Sequence, residues 1–242
     1  MNDKIYRVEF GKFKRYFSTS RVNRYLIATG NSTEKTVKLY KANLKVAQVF
    51  HPLVCILEVV LRNTLNNVLT SHFDDPNWII NQKTGFMSDP TLRFTHKQTG
   101  QVITNDFLKR EIAKAEKRLQ NTRTLITSGK IIAEQTFGFW SDLFEVHHYR
   151  LLKGKPIQIF QTLPSGYGRK DIKDELDKVR IFRNRINHNE PVCFNGNVID
   201  FTETLAVYNS IINLLELIDP ELLKLISNLD MVQETIDKAQ SI

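Results

Sequence analysis

The chain has 242 residues, 41% of them hydrophobic, and a net charge of +8 at neutral pH. A chain of this size and composition can bury a substantial apolar core, so we expect it to fold without disulfides or a structural metal. The first residues lack the uninterrupted apolar run of a signal peptide, and no stretch approaches the ~18 apolar residues of a membrane helix. These features predict a soluble, cytoplasmic protein with no membrane partner.

The charge is unevenly distributed along the chain. Residues 1–41 contain ten Lys or Arg and three Asp or Glu, a net +7, whereas residues 200–242 contain two and eight, a net −6. A basic N-terminal region favours a polyanionic partner such as nucleic acid, although a solvated face that keeps the protein soluble explains the charge equally well. The only cysteines, Cys55 and Cys193, have no partner at metal-ligand spacing, which predicts reduced thiols.

Helical periodicity dominates the chain, and clear strand alternation is nearly absent. Residues 21–28 predict a short helix, and a break at Gly30 is followed by a predicted helix over residues 33–50. Pro52 suits the first position of a separate helix over residues 53–72. That helix is apolar almost all round, so we expect it at the centre of the core.

Residues 77–104 form the irregular part of the sequence, where residues 93–96 and 101–104 predict a small hairpin around Gly100. A basic, amphipathic helix is predicted from about Asp106. Its apolar face recurs with helical spacing at Leu108, Ile112, Ala115 and Leu119.

A helix over residues 169–189 precedes Pro191, and further helices follow from about Asp200 and from Asp219. The sequence shows no internal repeat and no long linker. We therefore predict one all-α domain over residues 1–242, with residues 1–17 as a basic N-terminal extension and residues 77–104 as a small irregular or hairpin insertion.

The helix over residues 169–189 carries the most informative pattern. Its predicted apolar stripe consists of Ile172, Leu176, Val179 and Ile186. Arg183 falls in the middle of this stripe, on the face expected to be buried. A buried guanidinium requires a carboxylate, a polar cavity or an anionic ligand. Glu58 is the candidate carboxylate, because it is the only acidic residue in the apolar helix and lies one turn before Arg62.

Arg183 and His188 form the only Arg-x4-His in the sequence. An imidazole that titrates near neutrality can take a proton from a ribose 2′-hydroxyl, and a guanidinium can stabilise the charge on phosphoryl oxygens. Such a set of residues suits metal-independent RNA cleavage, in which Asn184 and Asn187 would orient the imidazole or contact the phosphate. An alternative interpretation is structural: Arg and His interact with the helix dipole, and the asparagines cap the last turn before Pro191.

In a regular helix, Arg183 and His188 point roughly 140° apart, so one helix cannot easily direct both at one phosphorus atom. Arg180, Asn184 and His188 instead form a polar strip beside the apolar stripe. Either the helix loosens near Pro191, or two protomers bring their helices together in a shared site. The second possibility predicts a symmetric homodimer.

The sequence lacks the glycine-rich loops, the zinc-protease motif and the nucleophile elbow of other enzyme classes. His147 and His148 are adjacent and make a poor metal site, so packing or surface roles are favoured for them. We therefore expect neither a metal nor a cofactor.

Several blocks of the sequence resemble one family. The most specific are Arg183 to Pro191, read as Arg-Asn-x-x-x-His with a trailing Glu-Pro, and Leu57 to Asn63, which contains Glu-x-x-x-Arg-Asn. Further matching positions are Ser18 to Arg21, Tyr25, Leu39, Tyr40, Asn43, Trp78, Gly138 to Trp140, Leu143, Phe160 and Pro164. On these residues the chain resembles the Abi-like proteins of bacterial abortive infection (AbiD/AbiF type), which belong to the HEPN superfamily of helical ribonuclease domains.

The resemblance implies an HEPN-like helical bundle that forms a homodimer. It also implies an endoribonuclease site at Arg183 and His188 with Asn184 as a polar neighbour. The implied role is phage defence or toxin-like growth arrest, with RNA as substrate and a regulatory RNA or antitoxin as a further partner. The basic segment before Ser18 has no counterpart in this resemblance.

Our first hypothesis is a metal-independent endoribonuclease with Arg183, His188 and Asn184 in its catalytic site. The supporting or RNA-binding residues would be Asn187, Arg180, Arg185, Glu58, Arg62 and Asn63. Our second hypothesis is a non-catalytic RNA-binding protein that uses the same motif to hold a regulatory RNA or partner. A structural scaffold is the third.

Overall fold

The computed structural model describes residues 9–242, which are predominantly helical. This part of the chain contains twelve α-helices, three short 3-10 segments and two small two-stranded sheets. The helical content is 68%, which confirms the predicted all-α class.

The residues from 9 onward pack as two compact units, each assembled from separated segments. The first unit contains the chain up to Leu53, Phe182–Asn209 and Ile226–Ile242. The second contains Val54–Ile181 and Ser210–Leu225. All four boundaries between neighbouring segments fall inside helices and not in loops. The prediction of a single domain stays a prediction.

The first unit is built from helices and one short hairpin. Its elements are α1 (Phe10–Phe17), α2 (Thr19–Ala28), the start of α3 (Thr33–Phe73), the end of α9 (Arg169–Asn187), strands β3 (Phe194–Asn195) and β4 (Val198–Ile199), the start of α10 (Thr202–Ile218) and α12 (Val232–Gln240). Aromatic rings fill its core. The Tyr25 ring lies 5.1 Å from Tyr40 and 4.8 Å from Phe194, and Phe50 lies 4.5 Å from Phe182, measured between ring centroids.

The second unit contains the remaining elements. They are the rest of α3, α4 (Trp78–Asn81), 3-10 segments Phe86–Ser88 and Pro90–Leu92, strands β1 (Arg93–Thr95) and β2 (Val102–Thr104), α5 (Phe107–Asn121), α6 (Ser128–Glu134), α7 (Phe137–Asp142), α8 (Val146–Leu151), 3-10 segment Lys155–Ile159, most of α9, the end of α10 and α11 (Glu221–Ile226). Its core is dominated by the fully buried Trp78, Trp140, Phe137, Phe139 and Phe144.

Helix α3 is one continuous helix of 41 residues, so the prediction of two helices separated at Pro52 is wrong. Pro52 lies inside the helix, where its ring removes one backbone hydrogen bond at a cost of about 3 kcal/mol. The residues that follow offset this cost by burial. Leu53, Leu57, Leu61, Leu65 and Leu69 are fully buried, and each buried leucine stabilises the fold by roughly 1.5–3 kcal/mol.

The apolar half of α3 is nevertheless not buried all round. The buried leucines recur every four residues along one edge, while Cys55 is exposed and Val59 is 44% exposed. The prediction that this segment lies at the centre of the core is therefore correct for one face only.

Among residues 9–242, α3 is the one helix whose length and composition would allow it to cross a membrane, which corrects the expectation that no segment qualifies. A third of its most apolar 18-residue window, 33%, is buried inside the protein. Core helices of soluble proteins share these properties, so cytoplasmic location stays a prediction.

Two other sequence predictions are confirmed. Strands β1 and β2 pair antiparallel, with Arg93 opposite Thr104 and Thr95 opposite Val102, as expected for a hairpin around Gly100. Helix α5 buries the predicted face of Leu108, Ile112, Ala115 and Leu119.

Candidate functional site

Helix α9 carries the Arg183–His188 motif near its C-terminal end. Its buried positions are Ile172, Leu176, Val179 and Phe182, so Phe182 takes the place that the sequence analysis gave to Ile186. The Phe182 ring packs against Phe50, whereas Ile186 is only half-buried. At its C-terminal end the buried face of α9 therefore contains Phe182 and not Ile186. A large aromatic ring contributes more buried apolar area than an isoleucine.

Arg183 is half-buried as a consequence, and not fully buried as predicted. Glu58, its predicted carboxylate partner, is also half-buried and lies on α3 in the second unit. Each of these two side chains interacts with other groups of the protein. The pairing of one with the other stays a prediction.

The C-terminal end of α9 is closed by a Schellman motif. The Asn189 N–H donates to the Ile186 carbonyl at 3.0 Å, and the Glu190 N–H donates to the Arg185 carbonyl at 2.8 Å. Asn189 has φ = +54°, the left-handed conformation that this motif requires. An asparagine, Asn189, therefore ends the helix, in line with the structural interpretation of the motif. The side chains of Asn184, Asn187 and His188 take no part in this cap.

His188 is the last residue whose backbone N–H follows the helical pattern, since it donates to the Asn184 carbonyl at 3.0 Å. The helix therefore does not loosen before His188. In this geometry the side chains of Arg183 and His188 leave the helix roughly 140° apart. His188, Asn184 and Asn187 are all exposed, so all three can be reached from solvent.

Arg185 differs from its neighbours because it braces the segment after the helix. Its guanidinium donates to the Pro191 carbonyl and lies 3.9 Å from a Glu190 oxygen and 3.5 Å from a Glu203 oxygen. The Arg185 side chain is only 28% exposed. Arg185 thus holds the Glu190-Pro191 segment in place, and this is the supporting role that its contacts indicate.

The other predicted site residues lie in the second unit. The Arg180 Nε atom is 3.3 Å from an Asp177 carboxylate oxygen one turn earlier on α9. Arg62 is half-buried on α3, and Asn63 is exposed beside it. Their participation in a site with Arg183 and His188 stays a prediction.

Sequence reasoning gave no role to the residues that fix the chain beyond Pro191. The buried Asn43 accepts a hydrogen bond from the Val192 N–H at 2.8 Å, and the Thr204 hydroxyl donates to the Val192 carbonyl. Arg24 lies 4.7 Å from the centre of the Phe194 ring and donates to the Gly196 carbonyl. Asn43 is one of the positions that match the family, and this match is the sequence feature that pointed to it.

The adjacent histidines have structural roles, as expected. His148 is fully buried, and its Nδ1 atom lies 3.0 Å from an Asp142 oxygen. The His147 ring stacks on Phe94 at 4.1 Å, and its Nδ1 atom lies 3.1 Å from Glu145. Between residues 9 and 242, no cluster of three or more His, Cys, Asp or Glu side chains is placed to hold a metal ion.

The structure thus defines an all-α protein with a half-buried arginine in the last turns of a long helix and an exposed histidine at its end. A family model described as Abi-like protein matches residues 3–193, more than three quarters of the chain. The chain therefore belongs to the Abi-like family, whose name refers to abortive infection, a form of defence against phage. The match contains the whole Arg183–Pro191 block and most of the segment predicted as an N-terminal extension. No curated protein and no solved structure matches the chain.

Proposed function

We propose that the protein is a metal-independent endoribonuclease of the HEPN type, which acts in phage defence by abortive infection or in toxin-like growth arrest. The observation that carries this proposal is the exposed His188 at the capped end of α9, five residues after the half-buried Arg183. Membership of the Abi-like family supports the proposed role in phage defence.

In the proposed reaction, His188 removes the proton from a ribose 2′-hydroxyl. The 2′-oxygen then attacks the adjacent phosphorus, and the bond from phosphorus to the 5′-oxygen breaks, so that a 2′,3′-cyclic phosphate and a 5′-hydroxyl form. Arg183 stabilises negative charge on the phosphoryl oxygens. Asn184 and Asn187 orient the imidazole or contact the phosphate, and the departing 5′-oxygen takes a proton from a protonated histidine or from water.

We further propose that the active form is a homodimer. The closed end of α9 keeps Arg183 and His188 on different sides of one helix, so one copy presents them to one phosphate poorly. Two copies related by a two-fold axis would place the arginine of one chain opposite the histidine of the other.

Cleavage of RNA in excess EDTA tests the catalytic proposal. We expect the wild type to cut RNA and leave a 2′-deoxy analogue intact, because the analogue lacks the attacking hydroxyl. His188→Ala should lower the cleavage rate by about 10²–10⁴-fold, the usual contribution of a general acid or base. Arg183→Ala should lower it by about 10²-fold or more.

His96→Ala and Arg150→Ala are matched controls, because they remove the same side chains at positions outside the motif. Both controls should cut RNA like the wild type. Equal rates for His188→Ala and the wild type would refute the catalytic proposal.

A second candidate function is RNA binding without cleavage, and a groove in the first unit favours it. The groove has a volume of about 780 Å³. Its lining includes the lysines Lys38, Lys41, Lys45 and Lys238 together with apolar residues, among them Val49, Pro52, Leu229 and Ile242. Lysines that follow one helix face suit a phosphate backbone. If the wild type leaves RNA uncut while Arg183→Ala and His188→Ala lose RNA affinity, this candidate is correct, and a regulatory RNA or an antitoxin becomes the proposed partner.

A further inference from the structure

A cavity of about 420 Å³ that is open to solvent lies in the second unit, between the end of α3 and the 3-10 segment Lys155–Ile159. Its walls are formed by Asn67, Val68, Ser71, His72, Lys155 and Gln158. Five of these six residues are polar or cationic. The volume falls within the roughly 300–1,000 Å³ of small-molecule sites.

The two walls come from the last turns of α3 and from the turn that follows α8. On α3, Asn67 and Ser71 are one turn apart, and the Ser71 hydroxyl donates to the Asn67 carbonyl at 3.1 Å. On the opposite wall, α8 ends in a second Schellman motif. There the Lys153 N–H donates to the Arg150 carbonyl at 2.9 Å and the Gly154 N–H to the Tyr149 carbonyl at 3.0 Å. Lys153 has φ = +51° and Gly154 has φ = +75°, which turns the chain directly into Lys155.

The charge around this cavity is positive, and neither Lys153 nor Lys155 forms an ion pair with the residues that the structure describes. Burial, followed by the charges of Lys155 and Lys153, lowers the pKa of His72. Between residues 9 and 242, no carboxylate lies within 4.0 Å of either lysine, although most lysines with ion pairs in this protein have a Glu or Asp at 2.6–2.9 Å. An anion in the cavity would therefore meet the uncompensated ammonium group of Lys155, which lines it, and would also feel the charge of Lys153, which acts on His72 from outside the lining.

We propose that this cavity is a binding site for a phosphate group, carried by a nucleotide or by the 5′ end of an RNA. A phosphate monoester offers close to two negative charges and three strong acceptor oxygens. Lys155 supplies the charge within the site and Lys153 adds to it from outside the lining, while the side-chain amides of Asn67 and Gln158 supply neutral donors. His72 becomes a further donor when it is protonated. The proposal goes beyond the endoribonuclease proposal and does not depend on it.

The pKa of His72 is the direct readout of this site. The full chain is labelled with ¹³C-histidine, and the His72 resonance is assigned from its loss in His72→Gln. The resonance is then titrated with pH in the presence of inorganic phosphate, of AMP, or of sodium chloride at equal ionic strength. Inorganic phosphate should raise the pKa of His72, because a bound anion stabilises the imidazolium, and chloride should not; AMP should raise it as well if the site accepts nucleotides.

Two 2′-O-methyl oligoribonucleotides of the same sequence, one with a 5′-phosphate and one with a 5′-hydroxyl, separate the two sources of the phosphate group. Neither can be cut by 2′-hydroxyl attack, so cleavage does not interfere. A pKa change with the 5′-phosphorylated strand but with neither AMP nor the 5′-hydroxyl strand assigns the site to RNA ends. A change with AMP assigns it to nucleotides.

Lys155→Gln should weaken the binding of inorganic phosphate by roughly ten- to a hundredfold, the cost of losing one charged hydrogen-bond partner. Lys130→Gln removes an exposed lysine on α6 and is the matched control, with affinity expected within twofold of the wild type. The proposal is wrong if no phosphate compound shifts the His72 resonance, or if both lysine variants bind alike. Neither result would affect the cleavage test on Arg183 and His188.

Discussion

Asn189 is a single residue on which the shape of the motif depends. Its φ of +54° costs an ordinary L-residue roughly 1–2 kcal/mol, whereas glycine adopts this conformation freely. We expect Asn189→Ala to lower the free energy of unfolding by about 1 kcal/mol and Asn189→Gly to leave it unchanged or slightly higher. Urea denaturation of the three proteins provides the measurement. Equal stabilities for the alanine and glycine variants would contradict the Schellman assignment.

The two cysteines should differ strongly in reactivity. Cys193 is fully buried beside Tyr25, and burial raises the pKa of its thiol to about 12. Cys55 is exposed on α3. Because the thiolate is the nucleophile, a thiol reagent at about pH 8 should modify Cys55 in the folded protein and reach Cys193 only after unfolding.

Cys55→Ser is the control for this prediction. The variant should show almost no rapid thiol modification when folded and one reactive thiol in denaturant. Rapid modification of the folded variant would mean that Cys193 is accessible.

At the scale of single residues, the sequence names candidate site residues but does not predict what each side chain contacts. Arg183 and Arg185 are two residues apart and chemically identical, yet Arg185 pairs with Glu190 and Glu203. That distinction depends on where the chain runs after Pro191, through contacts with Asn43 and Thr204 that are distant in sequence. No local pattern encodes such contacts.

Among the elements, α3 offers a direct test of which face carries the stability. Leu61 is fully buried, and Val59, two residues earlier, is 44% exposed. Leu61→Ala should lower the free energy of unfolding by about 2–5 kcal/mol, because it leaves a cavity in the core. Val59→Ala should lower it by less than about 1 kcal/mol, since little buried area is lost. Thermal or urea unfolding distinguishes the two, and a comparable loss in both variants would show that Val59 is buried in the protein in solution.

The elements also show which sequence rules were sufficient. The buried face of α5 was predicted residue by residue. Its apolar positions are separated by charged ones, so only one orientation of the helix about its axis buries them all. In α9 the sequence did not fix which residue is buried near the C-terminal end. Phe182 and Ile186 are both apolar, and packing against Phe50 decides between them. In α3 the proline rule failed, because burial of the leucine edge outweighs the lost hydrogen bond at Pro52.

At the scale of the whole molecule, the proposed shared site can be tested by complementation. A mixed dimer is purified from cells that make Arg183→Ala and His188→Ala chains with different tags. If arginine and histidine act across the two-fold axis, one of the two sites in the mixed dimer is intact. The mixed dimer should then cut RNA at about half the wild-type rate, although each parent is inactive.

The outcome of this experiment separates two arrangements. An inactive mixed dimer would show that both residues of a site come from one chain. A protein that elutes as a 28.1 kDa monomer under conditions where it cuts RNA would remove the shared site altogether.

The boundaries of the two units have a practical consequence for truncation. All four lie inside helices, after Leu53 in α3, Ile181 in α9, Asn209 in α10 and Leu225 in α11, whereas boundaries that tolerate cutting usually lie in exposed linkers. Neither unit can therefore be released by limited proteolysis or produced from one uninterrupted gene fragment. A version shortened to Cys193, where the family match ends, would discard the buried Val232 and Ile236 that belong to the same unit as the motif. Loss of activity in such a version would report misfolding and not the chemistry of the site.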